Sequence, residues 1–245
     1  MNFSSRYVLG VTAIASMAFA SASHAAVVVT EIIPYDATTY WSTPPTAGID
    51  FDDGASSNYP DPTQPGFLSV PASNATSYNV VHNGITFDFV VTGTTTGNQN
   101  RNRNNANGGA LVTDFEQWYN NQGGLSEGAL TLTGLKANTD YDVSFLFFNI
   151  GAGQTTQTFY EGGSSASPLI GTYSTSGNQN TYATWKPGII ISTNSGAGGT
   201  IVLTVQSQSN GRLTLNGIAV QEVPEPSSLA LLGLGGLLIA RRRRG

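Results

Sequence analysis

The stretch ITFDFVV, residues 85–91, decides the fold class of this chain. Its apolar side chains Ile85, Phe87, Phe89 and Val91 alternate with threonine, aspartate and valine. Because successive side chains of a β-strand point to opposite faces, an alternation with a period of two residues predicts a strand with one buried face. Helical periodicity is almost absent from the residues on either side of it.

The same alternation recurs further along the chain. It is clear at 141–147 and again at 201–205, where Gly, Asn, Ser, Thr and Pro bound the apolar runs. Shorter apolar runs predict further strands at 26–33, 66–70, 129–132, 154–160 and 189–192. Roughly ten strands, with turn signals between them and no intervening helices, predict an all-β domain, an antiparallel β-sandwich or jelly roll.

The last predicted strand contains a shift in its alternation. Leu213 and Leu215 occupy odd positions, whereas Ile218 and Val220 occupy even ones. One extra residue at Asn216-Gly217 would bring all four apolar side chains to the same face. We therefore predict a β-bulge there.

Two further stretches break the strand pattern. Residues 112–121 are the one part of the body predicted to be helical, with Asp114 and Glu116 in the first turn. Residues 96–109 are polar and rich in asparagine, and a run of that length predicts a mobile surface loop without a ligand. The body has roughly 200 residues, which is enough for one core. We expect a single domain, residues 26–222.

Residues 1–25 have the three parts of a secretory signal peptide. Arg6 provides the positive start, 8–19 are mostly apolar, and Ser23-His24-Ala25 places small residues before a cleavage site between Ala25 and Ala26. The apolar run is too short for a lasting transmembrane helix, which makes an N-terminal anchor the weaker alternative. We therefore expect the Sec-type export machinery and signal peptidase as partners.

Residues 223–245 carry a second signal, VPEPSSLALLGLGGLLIARRRRG. The apolar segment 227–240 would form a short helix of about 21 Å, against about 30 Å for a bilayer core, so it is a marginal transmembrane helix. The positive-inside rule keeps the arginines after it in the cytoplasm. The signal thus combines Pro224, Glu225 and Pro226, the apolar segment, and Arg241, Arg242, Arg243 and Arg244.

In that order these three parts resemble the PEP-CTERM sorting signal of Gram-negative, exopolysaccharide-producing bacteria. The resemblance implies processing near Pro224-Glu225-Pro226 by an exosortase, for which these residues are the substrate. It also implies an intermediate anchored in the inner membrane, followed by delivery to the cell surface or extracellular matrix. The alternative is a plain C-terminal membrane anchor that is not removed.

Composition excludes several classes of function. Five basic and fourteen acidic residues lie in the body, which gives it a formal net charge of −9. A body this acidic has no footprint for nucleic acid, which requires clustered Lys and Arg. The chain has no cysteine, so zinc–thiolate sites, iron–sulfur clusters and thiol nucleophiles are excluded.

A second resemblance covers roughly residues 49–221. The segments GIDFDDGASSNYPDPTQPGFLSV, GITFDFVV, LTLTGLKANTDYDVSFLFFN and GRLTLNGIAVQ are similar to galactose-binding-like jelly-roll domains. The resemblance implies a carbohydrate-associated, non-catalytic module. Sugar affinity does not follow from the fold by itself.

The residues give little support for catalysis. His82 stands beside Asn83-Gly84, where a hairpin turn is expected, so we interpret it as a solvated turn residue. No G-x-S-x-G nucleophile elbow occurs. A glycosidase needs two carboxylates facing each other across a cleft, and the close spacing of Asp114 and Glu116 does not establish such a pair. We expect no enzyme, with a polysaccharide-acting enzyme as the weakest alternative.

Asp50, Asp52 and Asp53 are weak candidates for a metal site. Asp50 and Asp52 fit the first two ligands of a D-x-D-x-D-G calcium loop, but Gly54 stands at the third position and no glutamate follows at the twelfth. The cluster is therefore not an EF-hand. We expect no cofactor, with calcium left open; the alternative is a turn that keeps the surface soluble.

Sugars are commonly bound by flat aromatic side chains, which stack on the apolar face of a pyranose. The candidates are Trp118, Tyr119, Trp41 and Trp185, with Trp118 first because its neighbours are polar. The alternative for each is packing in the core. Together the patterns predict an exported, non-catalytic, polysaccharide-associated protein of the cell surface or extracellular matrix; the rival is a structural surface protein without a specific ligand.

Overall fold

The computed structural model describes residues 27–32, 44–52, 66–71, 75–93, 99–100, 116–119, 124–147, 156–175, 188–208 and 212–224. Those residues form fifteen β-strands and no helix. The strands are β1 (Val28–Glu31), β2 (Ala47–Asp52), β3 (Leu68–Pro71), β4 (Ser77–His82), β5 (Ile85–Thr92), β6 (Gln99–Asn100), β7 (Glu116–Tyr119), β8 (Glu127–Thr133), β9 (Asp140–Leu146), β10 (Thr156–Glu161), β11 (Leu169–Ser174), β12 (Gly188–Asn194), β13 (Ile201–Ser207), β14 (Arg212–Leu215) and β15 (Gly217–Glu222).

The strands form two large sheets and one small one. Sheet A has the order β1-β12-β9-β15-β2-β3, sheet B the order β11-β10-β13-β8-β5-β4, and sheet C the order β14-β7-β6. Sheets A and B share one apolar core, so the predicted all-β sandwich is confirmed. Its antiparallel pairing has one exception among the described strands, since β2 and β3 run parallel.

The stretch that predicted the fold behaves as its alternation requires. Ile85, Phe87, Phe89 and Val91 are at most 4% exposed, and the residues between them are half-buried or exposed. This strand forms a hairpin with β4 through Asn83 and Gly84, whose φ values of 50° and 81° place both in the left-handed region. Two such residues are typical of the tight turns that match the twist of paired strands.

The predicted bulge at Asn216-Gly217 is wrong. The chain leaves sheet C at the end of β14 and enters sheet A at the start of β15, so Asn216 joins two sheets. Its N–H donates to the Leu146 carbonyl at 2.8 Å, and its carbonyl accepts from the Phe51 N–H at 2.9 Å. The alternation shifts because β14 and β15 approach the same core from two different sheets.

The predicted helix at 112–121 is also wrong where the structure describes it. Glu116–Tyr119 form β7, which pairs with β14 through Trp118↔Leu213 and its neighbours. Ladder hydrogen bonds and burial of Trp118 outweigh the weak local preference for a helix. Within the predicted loop 96–109, Gln99–Asn100 form β6 against β7. The remaining residues of both stretches lie outside the described ranges.

Sheet A is covered on its outer face as well. Ile32, Phe67, Leu146 and Ala219 are buried there in a second, smaller cluster. The Phe67 ring lies so close to Gly48 that a Cβ at this glycine would be 2.6 Å from Cδ1 of the ring. The central strands of sheet A are therefore buried on both faces, and their apolar pattern is nearly continuous rather than alternating.

Candidate functional site

The final strand of the body occupies a central position in its sheet. β15 lies between β9 and β2. Its residues Gly217 to Val220 are all buried. Its end is held by two hydrogen bonds: the Glu222 N–H donates to Thr46 Oγ1 at 3.0 Å, and the Val223 N–H donates to the Asp140 carbonyl at 3.0 Å. The exposed Pro224 follows directly, so the Pro-Glu-Pro sequence begins where the core strand ends.

An ion pair marks the same end of the body. Lys136 Nζ, in the loop between β8 and β9, lies 2.7 Å from Glu222 Oε2 and 2.8 Å from Glu222 Oε1. The hydrogen bond and the negative charge of Glu222 raise the pKa of Lys136 above its ordinary value of 10.5. Because the lysine side chain is 69% exposed, solvent screens the pair and its contribution to stability is small.

Most residues of the two predicted targeting signals lie outside the described ranges. This holds for Ala25 and Ala26 at the predicted cleavage site and for the apolar segment 227–240. Within the part of the chain that the structure describes, no helix is long and apolar enough to cross a bilayer. The other sorting residues outside these ranges are Glu225, Pro226, Arg241, Arg242, Arg243 and Arg244.

Trp118 lies in the core, and no part of its indole is accessible to solvent. Its ring meets Phe51 of sheet A at 5.8 Å and Phe89 and Tyr78 of sheet B at 5.6 and 6.1 Å between centroids. The indole Nε1–H donates to the Ala75 carbonyl at 2.9 Å. A buried ring cannot stack on a sugar. Of the two interpretations of Trp118, sugar stacking and core packing, the structure therefore supports core packing.

The side chains of the other three aromatic candidates lie outside the described residues. The backbone of Tyr119 pairs with Arg212 at the end of β7, but its side chain is outside what is described. Trp41 and Trp185 lie outside the described residues altogether. Their interpretation as sugar-stacking residues stays a prediction.

The aspartates considered for calcium belong to β2 and the residue after it. Asp50 is 2% exposed on the outer face of sheet A, between Gly217 and Ser69 on the neighbouring strands. The side chain of Asp52, and Asp53 as a whole, are outside the description. Among the described residues, no three His, Asp or Glu side chains come together as a metal site would require.

His82 is not the solvated turn residue predicted from its neighbours. It is half-buried, and its Nδ1 lies 2.9 Å from the Gly48 carbonyl oxygen and 3.1 Å from the Gly48 nitrogen, so either tautomer makes one hydrogen bond to β2. Asn83 Nδ2 donates to the Thr46 carbonyl at 2.9 Å. The tip of the β4–β5 hairpin therefore connects the edge of sheet B to sheet A.

One feature that sequence reasoning missed is a row of polar side chains on the outer face of sheet B. Glu127, Gln206, Thr158 and Thr172 stand side by side on β8, β13, β10 and β11. Together with Tyr160 and Gln208 we call them the polar strip. The row crosses four strands at right angles, which spans about 14 Å at the usual strand separation.

Hydrogen bonds connect the members of the polar strip. The Tyr160 hydroxyl donates to Gln206 Oε1 at 3.2 Å, and Gln206 Nε2 donates to Glu127 Oε2 at 3.4 Å. On the other side, Gln208 Nε2 donates to Thr158 Oγ1 at 2.6 Å. The last link joins the hydroxyls of Thr158 and Thr172, which are 2.8 Å apart. These contacts fix side chains that would otherwise be free to rotate.

The loop between β10 and β11, residues 162–168, folds back over sheet B beside the polar strip. The Ser165 N–H donates to Glu127 Oε2 at 3.2 Å, and Thr204 Oγ1 donates to the Gly162 carbonyl at 2.7 Å. Thr204, although on the outer face, is fully buried beneath this loop. In the sequence the strip is visible only as Thr and Gln at every second position of β10 and β13, which is also the pattern of an ordinary solvated face.

Comparison with known proteins identifies one part of the chain. The PEP-CTERM protein-sorting motif matches residues 222–244, which confirms the resemblance predicted for the C-terminal segment. The match supports an exported protein that is sorted through the membrane by an exosortase. The motif begins at Glu222, the last residue of β15.

Two further comparisons concern the whole chain. No curated protein sequence matches this chain. Among solved structures, the enzymatically active domain of tailspike protein 4 from bacteriophage CBA120 is similar over 67% of this chain and 24% of its own, with 13% identity and a TM-score of 0.35. At that level of similarity we transfer neither the fold nor the activity of the tailspike domain.

Proposed function

We propose that this chain is a non-catalytic, polysaccharide-associated protein of the cell surface or extracellular matrix of a Gram-negative bacterium. The observation that carries the proposal is the sorting motif, which begins at the last residue of the final core strand. An exosortase substrate is delivered through the membrane, and its body must then function outside the cytoplasm.

The proposed route has two processing steps. The Sec-type machinery exports the chain, and signal peptidase cleaves between Ala25 and Ala26. The apolar segment 227–240 then holds an intermediate in the inner membrane, with its arginines on the cytoplasmic side. An exosortase cleaves near Pro224-Glu225-Pro226 and transfers or releases the body.

The end of the body supports removal of the tail. Among the described residues that follow β15, Val223 makes a backbone hydrogen bond to the body. The next residue, Pro224, is exposed. Cleavage beyond Val223 therefore leaves the described sheets and their core complete.

Association with polysaccharide is the finer part of the proposal. Its supports are the acidic body, which disfavours nucleic acid, and an accessible sheet face rich in hydroxyl and amide groups. Such groups match the hydroxyls of a sugar, which both donate and accept hydrogen bonds. A structural surface protein without a ligand is the competing interpretation.

Mass spectrometry of the protein recovered from its native host tests the route. We expect an N-terminus at Ala26 and a C-terminus close to Pro224, without the arginines. Deletion of the exosortase should leave the arginines in place. An intact C-terminus in the wild-type host would contradict sorting and favour a permanent anchor.

Co-sedimentation with polysaccharide from the same host tests the second part. We expect saturable binding by the exported protein and no release of reducing sugar. Absence of binding would favour the structural interpretation. Turnover by the wild type that is lost on Asp114→Asn or Glu116→Gln would favour an enzyme.

A further inference from the structure

We propose that the polar strip on sheet B binds a chain of neutral sugars. The inference rests on the proposed function and adds to it the location of the site and the class of polysaccharide. None of the residues predicted from the sequence to bind a ligand belongs to the strip.

The first argument is access. The outer face of sheet A is covered near its centre by the cluster around Phe67 and Leu146. On sheet B the loop 162–168 lies over the row that contains Thr204 and contacts the next row through the Ser165 N–H, which donates to Glu127. Within that next row Thr158 is buried, whereas Glu127 and Gln206 are half-buried and Thr172 is exposed. The polar atoms of Glu127, Gln206 and Thr172 are thus within reach of a molecule lying on the sheet.

The second argument is the arrangement of donors and acceptors. Within the described part of the chain, each glutamine of the strip uses one amide N–H toward a neighbouring side chain. An amide nitrogen has two N–H groups, and we assign the second to the ligand. Glu127 contributes a carboxylate that only accepts. Because the side chains are already held by one another, a ligand would order few of them on binding, and the entropic cost of binding is low.

The third argument is Tyr160. It pairs with Thr204 beside the loop 162–168 and is half-buried, and its hydroxyl donates to Gln206 at 3.2 Å. An amphipathic aromatic side chain with a fixed hydroxyl combines an apolar ring with a hydrogen-bonding edge. That combination suits a pyranose, which has an apolar face and a rim of hydroxyls.

Charge decides between neutral and anionic polysaccharides. The strip has one carboxylate, Glu127, and no cation. Among the described residues the two basic side chains lie elsewhere: Lys136 pairs with Glu222, and Arg212 belongs to sheet C. A polysaccharide that carries uronate groups would meet repulsion from the strip and from the acidic body. The neutral class is the complementary one.

The test compares three full-length chains expressed in the native host and recovered in their exported form. They are the wild type, the double variant Tyr160→Ala/Gln206→Ala, and the control Asn79→Ala, which changes an exposed residue of the same sheet outside the strip. The probes are dextran, galactan and cellulose as neutral polymers, and alginate as the anionic one. Binding is measured by affinity electrophoresis or co-sedimentation, and melting temperature checks the fold.

We expect the wild type and Asn79→Ala to bind at least one neutral polymer with equal affinity and not to bind alginate. The double variant should bind about tenfold more weakly or worse. The milder Tyr160→Phe keeps the ring and should retain more affinity than Tyr160→Ala, which provides a second comparison if the double variant melts early.

Two results would overturn the inference, and they differ from failure of the proposed function. If the wild type binds neutral polymers and all strip variants bind them equally well, the protein binds sugars at another site. If alginate binds more tightly than the neutral polymers, the charge argument is wrong. If no polysaccharide binds at all, including that of the native host, the proposed function itself fails.

Discussion

Sheets A and B bury one face each in the same core, and they differ on the opposite face. In sheet A that face carries Leu146, Ala219 and the buried Asp50, with Phe67 packed above Gly48. In sheet B it carries a row of hydrogen-bonded polar side chains, of which Thr158 is buried and Glu127, Gln206 and Thr172 are half-buried or exposed. Near its centre sheet A is therefore packed on both faces, whereas sheet B presents polar side chains on its outer face. The difference separates residues that maintain the fold from residues that are free to evolve a ligand site.

The largest expected effect concerns the last strand of sheet A. A stop codon after Asn216 removes β15 from between β9 and β2 and with it the buried Ile218 and Val220. We expect this chain not to fold, because the loss approaches the whole stability of a domain, about 5–15 kcal/mol. A stop codon after Pro224 is the control and should leave a cooperative thermal transition. Equal behaviour of both truncated chains would show that β15 is dispensable.

The next comparison sets a core aromatic against a surface aromatic. Trp118→Ala should lower the free energy of unfolding by about 3–5 kcal/mol, because it empties the space between Phe51, Phe89 and Tyr78. Compared with Trp118→Ala, Tyr160→Ala should lower the free energy of unfolding by less and weaken polysaccharide binding by more. Urea unfolding and a binding assay on both variants give the four values. A Trp118 variant that keeps its stability but loses binding would reverse the assignment of these two residues.

The same comparison shows what the sequence could predict. The period-two runs identified the strands that have one buried face, such as 85–91, because burial on one side leaves an alternating pattern. They could not separate β14 from β15, since both turn apolar side chains to one core from different sheets. The helix predicted around Trp118 failed for a related reason: pairing between β7 and β14 is long-range and leaves no local signal in four residues.

The candidate sites divide in the same way. The sorting segment was found because its three parts are contiguous in sequence, from Pro224 to Arg244. The polar strip was missed because its members come from four strands and meet only through the register of sheet B. Trp118 attracted attention for its polar neighbours in sequence, but in space its neighbours are Phe51, Tyr78 and Phe89.

A smaller effect tests whether the outer face of sheet A is packed and that of sheet B is open. A Cβ at Gly48 would lie 2.6 Å from the Phe67 ring, whereas a Cβ at Gly163 would lie 3.7 Å from Val202 Cγ1, an ordinary contact. We expect Gly48→Ala to destabilise by about 1–3 kcal/mol. Gly163→Ala, its matched control in the loop over sheet B, should stay within about 0.5 kcal/mol of the wild type. Equal melting temperatures would mean that Phe67 moves aside freely and that sheet A is not covered as described.

The smallest effect concerns the ion pair at the end of β15. Lys136→Gln removes the partner of Glu222. Because Lys136 is exposed, we expect the melting temperature at pH 7 to fall only slightly. At high salt the variant and the wild type should melt at the same temperature, because salt screens the ion pair. The pKa of Lys136 is raised in the folded protein by Glu222, so its stabilisation is complete below the unfolded value near 10.5 and is lost as the pH rises through the folded value. The difference between wild type and variant should therefore persist at pH 7 to 9, begin to fall above about pH 10.5 and vanish above the raised pKa of the folded state. If the difference in melting temperature survives both high salt and high pH, Lys136 acts through packing of its aliphatic chain at the end of β15. The segment that leads from β15 to the sorting motif would then be held by packing contacts and not by charge.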